Sequence, residues 1–185
     1  IFAGQLAQGQ VRKAWRLASN VLTLMVEGYA AFALIVFLFA DPIVRFLVAP
    51  GLDREFQVLA TELTRILLLS PMFLGLGAAA KSLLEAHDNF TLPAYAPVVY
   101  NAAGLLGALV LAPRYGIKGL AWGIVLGSIA HVTTQFPGLL GIRMRYFFLP
   151  TPVAEGVRQV GRLLTPRIIG QAAFQINFTL ILTTF

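Results

Sequence analysis

The sequence predicts an all-α integral membrane protein, a multi-helix bundle, and three observations carry that prediction. The 185 residues are 58% hydrophobic and only 12% charged, where a globular domain is about 45–50% apolar and about 25% charged. So few charges cannot coat a water-facing surface. Long apolar runs, each near the roughly 20 residues that cross the hydrocarbon core as a helix, recur along the chain. These runs do not alternate apolar with polar residues, as strands of a membrane barrel do.

The runs are read in order. Residues 17–40 contain one charge, Glu27. Residues 66–84 are interrupted only by Lys81. Residues 90–113 and 119–142 are each 24 residues without a charge, and 168–185 is an uncharged run at the end of the sequence. This makes about five transmembrane helices. The connections are rich in breakers: 41–55 holds Pro42, Pro50 and Gly51, 85–93 holds His87, Asp88 and Asn89, and 113–118 is a tight turn. The longer 143–167 connection is basic. Within it Val153, Val157, Val160 and Leu164 recur at helical spacing with Arg158 and Arg162 off that stripe, the pattern of an amphipathic surface helix. Because the first residue is not Met and the last lies inside an apolar run, the sequence reads as part of a longer protein.

Orientation follows from Lys and Arg. Arg12, Lys13, Arg16, Lys81, Arg143, Arg145, Arg158, Arg162 and Arg167 fall on one side, against Arg45, Arg54, Arg65, Arg114 and Lys118 on the other. The N-terminal end and the 143–167 connection are therefore expected in the cytoplasm.

Polar residues at membrane depth carry the next layer of information, because lipid cannot satisfy them. Gly127, Ser128, His131, Thr134, Gln135 and Gly138 share one face of the fourth run. Two readings stay open: a wall of a water-filled pathway, or a packing face, since Gly123 and Gly127 have small-xxx-small spacing and Gln bridges helices. Asn101 lies halfway through the third run as a ligand contact or an interhelical hydrogen-bonder. Glu27, the one acid deep in a run, is expected to face a cavity or a partner; the alternative is a helix whose first turns leave the membrane. Glu27, Asn101, His131 and Gln135 are the transport-pathway candidates. Pro71 and Pro97 each remove a backbone hydrogen bond and are the helix-kink candidates. Glu62 and Arg65, three residues apart, are placed to pair at an interface, and Lys81 to extend towards headgroups.

No catalytic constellation is visible, and an enzyme is not expected. Cysteine is absent and the two histidines are far apart, which excludes thiolate chemistry and an HExxH metal site. No GxSxG elbow or GxxxxGK[ST] loop occurs. The run Glu85-Ala86-His87-Asp88-Asn89 is the nearest approach to a polar cluster and reads as a solvated turn. No cofactor, metal or nucleic acid is expected.

Four stretches carry a family resemblance. They are Leu47-Val-Ala-Pro50-Gly51-Leu-Asp53 with Glu62-Leu-Thr-Arg65-Ile; Phe90-Thr-Leu-Pro93-Ala-Tyr-Ala-Pro97-Val-Val-Tyr-Asn101; Gly119-Leu-Ala-Trp122-Gly123 through Gln135-Phe-Pro137; and Arg162-Leu-Leu-Thr-Pro166 through Gln175-Ile-Asn177. In order and spacing they resemble the lipid II flippase family, MurJ or MviN, of the multidrug/oligosaccharidyl-lipid/polysaccharide exporter superfamily. The resemblance implies a fourteen-helix fold in two lobes around a central cavity. Residues 1–142 would then be part of the N-terminal lobe, 143–167 the basic cytoplasmic link, and 168–185 the start of the second lobe. It implies flipping of lipid II, the undecaprenyl-pyrophosphate-linked peptidoglycan precursor, from inner to outer leaflet of the bacterial plasma membrane by alternating access. The expected partners are lipid II, membrane lipids and the rest of the chain. Ile181 stands where the family often has Asn or Asp, so an ion site there is not carried over, and the cavity arginines of the family fall outside these residues. Another exporter of the superfamily and an inactive membrane scaffold are the competing readings.

Overall fold

The structure, a computed structural model, describes residues 1–51, 53–147, 158, 160–162, 165–166, 169–171 and 173. The chain divides into two compact units, residues 1–24 with 146–185, and residues 25–145.

In the first unit a short helix α1 (Phe2–Ala7) precedes the start of α2 (Val11–Leu38). Gly9 has φ +72°, and the amides of Gly9 and Gln10 bond back to Leu6 and Gln5. This is the helix-ending motif that favours glycine, because a left-handed residue costs glycine no Cβ clash. Phe2 meets the Trp15 ring edge-on at 5.4 Å. Ser19 Oγ donates to the Trp15 carbonyl and accepts from the Phe147 amide at 3.0 Å. Phe147 is thus tied to the early turns of α2.

In the second unit α2 continues to Leu38 and is followed by a one-turn helix α3 (Ala40–Ile43) and a π-helical turn, Val44–Val48. Helices α4 (Arg54–Leu67) and α5 (Leu69–Glu85) run on from one another with a break at Leu68. Helix α6 (Thr91–Leu106) leads through a second π-helical segment, Gly107–Leu111, into α7 (Ala112–Tyr115), and α8 (Ile117–Gly141) closes the unit. Among the described residues four helical stretches are long and apolar enough to cross a membrane: Val11–Leu38, Arg54–Glu85, Thr91–Tyr115 and Ile117–Gly141. The expected fifth, 168–185, and the amphipathic stretch 153–164 lie largely outside the described residues.

Helix α8 is the axis of this unit and packs chiefly against α6 and α5. The contact with α6 and with the π-helical segment that follows it is backbone against backbone. A Cβ on Gly107 would collide with Gly123, and one on Gly127 would lie 2.8 Å from the Tyr100 carbonyl. Side chains are removed where the helices cross, as membrane bundles require when van der Waals contact replaces the hydrophobic drive. Away from the crossings, Phe32, Ile35, Leu105, Leu109, Leu126 and Leu140 are exposed, the reverse of a soluble fold.

Several expectations are corrected. The second run, placed at 66–84, is a 32-residue stretch from Arg54 to Glu85, because α4 extends it with an amphipathic rather than uniformly apolar sequence. The 41–55 connection is not all irregular: Pro42 sits in the first turn of α3, where a missing N–H costs nothing. Glu62 does not pair with Arg65; it pairs with Lys118 of α8, and Arg65 turns to Phe37 of α2. Lys81 meets Glu85 one turn on at 3.7 Å, both partly exposed. The polar run 85–89 is a helix end: Asp88 takes φ +58°, and the Asp88 and Asn89 amides close onto Glu85 and Leu84.

Candidate pathway residues and the polar crossing of α5 and α8

The structure brings two of the four pathway candidates together. His131 and Gln135 are one turn apart on α8 and both lie against Gly77 of α5. A Cβ on Gly77 would meet the His131 ring, 2.8 Å from Nε2, and would come 3.3 Å from Gln135 Nε2. Gln135 is 0% exposed, and its Nε2 donates to the Gly77 carbonyl at 3.1 Å. Gly77 therefore does two jobs: it leaves room for both side chains and offers its carbonyl as the acceptor. His131 is half-buried, with its ring edge-on to Tyr100 of α6 at 6.4 Å between centroids. His131 Nδ1 and Gln135 Oε1 are buried without a hydrogen-bond partner among the described residues.

The rest of the stripe follows the same pattern. Ser128 is fully buried and donates to the Val125 carbonyl at 2.7 Å, and Thr134 donates to Ala130 at 2.8 Å. Gly138 makes room for Leu84 and Leu92. In this unit the stripe is a packing face at its Gly127, Ser128, Gln135 and Gly138 positions, with His131 at its more open edge.

Glu27 and Asn101 are placed apart from that crossing. Glu27 is exposed on α2, about 24 Å along the helix from Val11 and about 16 Å from Leu38 at ~1.5 Å per residue. It makes no ion pair among the described residues. Asn101 is exposed, and its Nδ2 turns back to the Pro97 carbonyl at 2.9 Å instead of reaching another helix.

The two prolines act differently. Pro71 is the third residue of α5, and its missing N–H and ring disfavour an unbroken helix through Leu67. The break falls at Leu68, and the hydroxyl of Tyr29 on α2 donates to the Leu68 carbonyl at 2.5 Å. Sequence reading missed Tyr29; an apolar aromatic on a span gives no signal of a carbonyl it will meet. At Pro97 the helix α6 runs on to Leu106, and the irregular turn comes ten residues later at Gly107–Leu111.

This arrangement of broken, glycine-crossed membrane helices has close counterparts. The family model for lipid II flippase MurJ matches residues 1–185. The chain belongs to the MurJ family. Among curated MurJ relatives, the lipid II flippase MurJ of Burkholderia cenocepacia is 30% identical over 172 residues, covering 89% of this chain and 31% of that protein. The probable lipid II flippase MurJ of Buchnera aphidicola subsp. Baizongia pistaciae is 28% identical over 166 residues, 85% of this chain and 32% of that protein. A solved structure of lipid II flippase MurJ in an inward closed conformation superposes with TM-score 0.67 at 24% identity, over 80% of this chain and 31% of that one. The fold is therefore the MurJ fold, and the chain spans about a third of the length of these MurJ relatives.

Proposed function

We propose that the complete protein flips lipid II from the inner to the outer leaflet of the bacterial plasma membrane by alternating access. Residues 1–142 would form part of its N-terminal lobe, 143–167 the cytoplasmic link and 168–185 the beginning of the second lobe. The observation that carries this reading is the MurJ family match along all of residues 1–185. The physical arrangement supports it: α8 meets the backbone of α6 at Gly127 and that of the π-helical segment after α6 at Gly123, while α4 and α5 are broken at Leu68. A lobe that rocks needs helices locked to each other and a limited number of places that bend. Glu27 and Asn101 are the pathway residues we favour, because both are exposed at membrane depth, where a polar group facing lipid is costly. Gln135 and His131 support the pathway from the packing side.

The test is complementation. The full-length protein is expected to restore growth and cell shape in a bacterium depleted of its lipid II flippase. Its purified form is expected to move labelled lipid II across vesicles. Correct membrane insertion without either activity would sink the reading.

A further inference from the structure

An apolar groove of about 530 Å³ opens in the unit formed by residues 25–145. It is lined by Ala30 and Ala33 of α2, Leu69 and Met72 just past the helix break, and Trp122 of α8, with Arg65 as the one charged residue among its lining. The small side chains of Ala30 and Ala33 leave the space open, and Trp122 remains 45% exposed beside it.

Arg65 is held in place without being neutralised. Its Nε donates to the Phe37 carbonyl at 3.3 Å, and its guanidinium carbon lies 5.1 Å from the centre of the Phe37 ring. The acid one turn away, Glu62, is taken by Lys118. No acid stands within ion-pair reach of Arg65 among the described residues. Stacking and the Nε bond fix the plane of the fork, and its terminal nitrogens keep their donors for an outside acceptor. That acceptor must be anionic to match the charge. Arg65 lies one turn along α4 from Glu62, whose partner Lys118 is in the first turn of α8, and it meets Phe37 in the last turn of α2, so it is level with the ends of two membrane-length helices, where headgroups lie, and not with their middles.

We propose that this groove holds one acyl chain of an anionic phospholipid, with the lipid phosphate on Arg65. The apolar lining accepts the chain, and the fixed cation at its end selects the headgroup by charge. The site borders the break at Leu68, so the bound chain packs on the segment where α4 and α5 bend. This proposal does not rest on the transport function above, and its test contains no lipid II.

The test uses the full-length protein with Trp122 as its sole tryptophan, in vesicles of mixed lipid. Phosphatidylglycerol with brominated chains is expected to quench Trp122 at about fivefold lower mole fraction than brominated phosphatidylcholine, the preference one basic residue gives at a membrane surface. Arg65→Gln is expected to erase the preference and Arg65→Lys to keep it. Ala33→Leu, which fills the groove and leaves the charge alone, is expected to weaken quenching by both lipids. Equal quenching by the two lipids in the unsubstituted protein means ordinary boundary lipid and overturns the proposal. So does a preference that survives Arg65→Gln, or quenching unaffected by Ala33→Leu. Absence of quenching by either lipid means that another segment of the chain covers the groove, and overturns it as well.

Discussion

The side-chain amide of Gln135 on α8 donates to the main-chain carbonyl of Gly77 on α5, 3.1 Å away in a fully buried crossing. The bond ties a side chain of one helix to the backbone of another where lipid offers the Gln135 amide no partner. Gln135→Leu in the full-length protein keeps similar volume and removes the donor. We expect a loss of about 0.6–2 kcal/mol, the range for interhelical hydrogen bonds in membranes, read as a lower thermal midpoint. Transport per folded molecule is expected to be preserved. A variant with unchanged stability and impaired transport would assign Gln135 to the pathway instead.

Two glycine crossings predict opposite responses to the same kind of repair. A Cβ at Gly77 meets the His131 ring, whereas a Cβ at Gly123 meets the Gly107 backbone. Both Gly77→Ala and Gly123→Ala are expected to destabilise by about 1–3 kcal/mol through overpacking. Adding His131→Ala should recover stability in the Gly77→Ala protein, because the obstructing ring is gone. It should recover nothing in the Gly123→Ala protein. A double-mutant cycle in detergent checks this, and additivity at the 77–131 pair would refute the contact.

Tyr29 and Leu68 form the third measurable relationship. The hydroxyl on α2 donates to the Leu68 carbonyl at the helix break, and Tyr29→Phe deletes that donor with the ring left in place. We expect a cost of about 0.5–1.5 kcal/mol, the usual net worth of one such bond. Thermal unfolding of the full-length variant measures it. An unchanged midpoint would mean the break is stable without its cross-helix donor.

Glu27 separates function from stability. It is exposed on α2 without an ion-pair partner among the described residues, so Glu27→Gln should leave the folded yield and thermal midpoint within about 0.5 kcal/mol, as for surface substitutions. Lipid II transport in vesicles should fall. Unimpaired transport would remove Glu27 from the pathway.

The charge bias predicts a cytoplasmic N-terminal end. In intact cells, a single cysteine placed at Gln10 should be shielded from a membrane-impermeant thiol reagent, and one at Gly51 should react. Labelling at 10 without labelling at 51 would invert the topology.

Composition and the apolar runs name the solvent and the helical class of this chain. Apolar runs such as 119–142 dictate helices, because lipid forces each backbone donor and acceptor to pair within its own segment. The four motif stretches carried the family. Partners across helices were a different matter. Glu62 and Arg65 sit at pairing distance along α4, yet Lys118 of α8 takes Glu62 and Phe37 of α2 takes Arg65, because tertiary approach brings competitors that local spacing does not know about. The polar stripe on α8 had two readings at equal standing in sequence. Only the approach of Gly77 placed Gln135 in a buried crossing with α5, because periodicity tells which residues share a face, whereas what the face meets depends on a helix more than forty residues away.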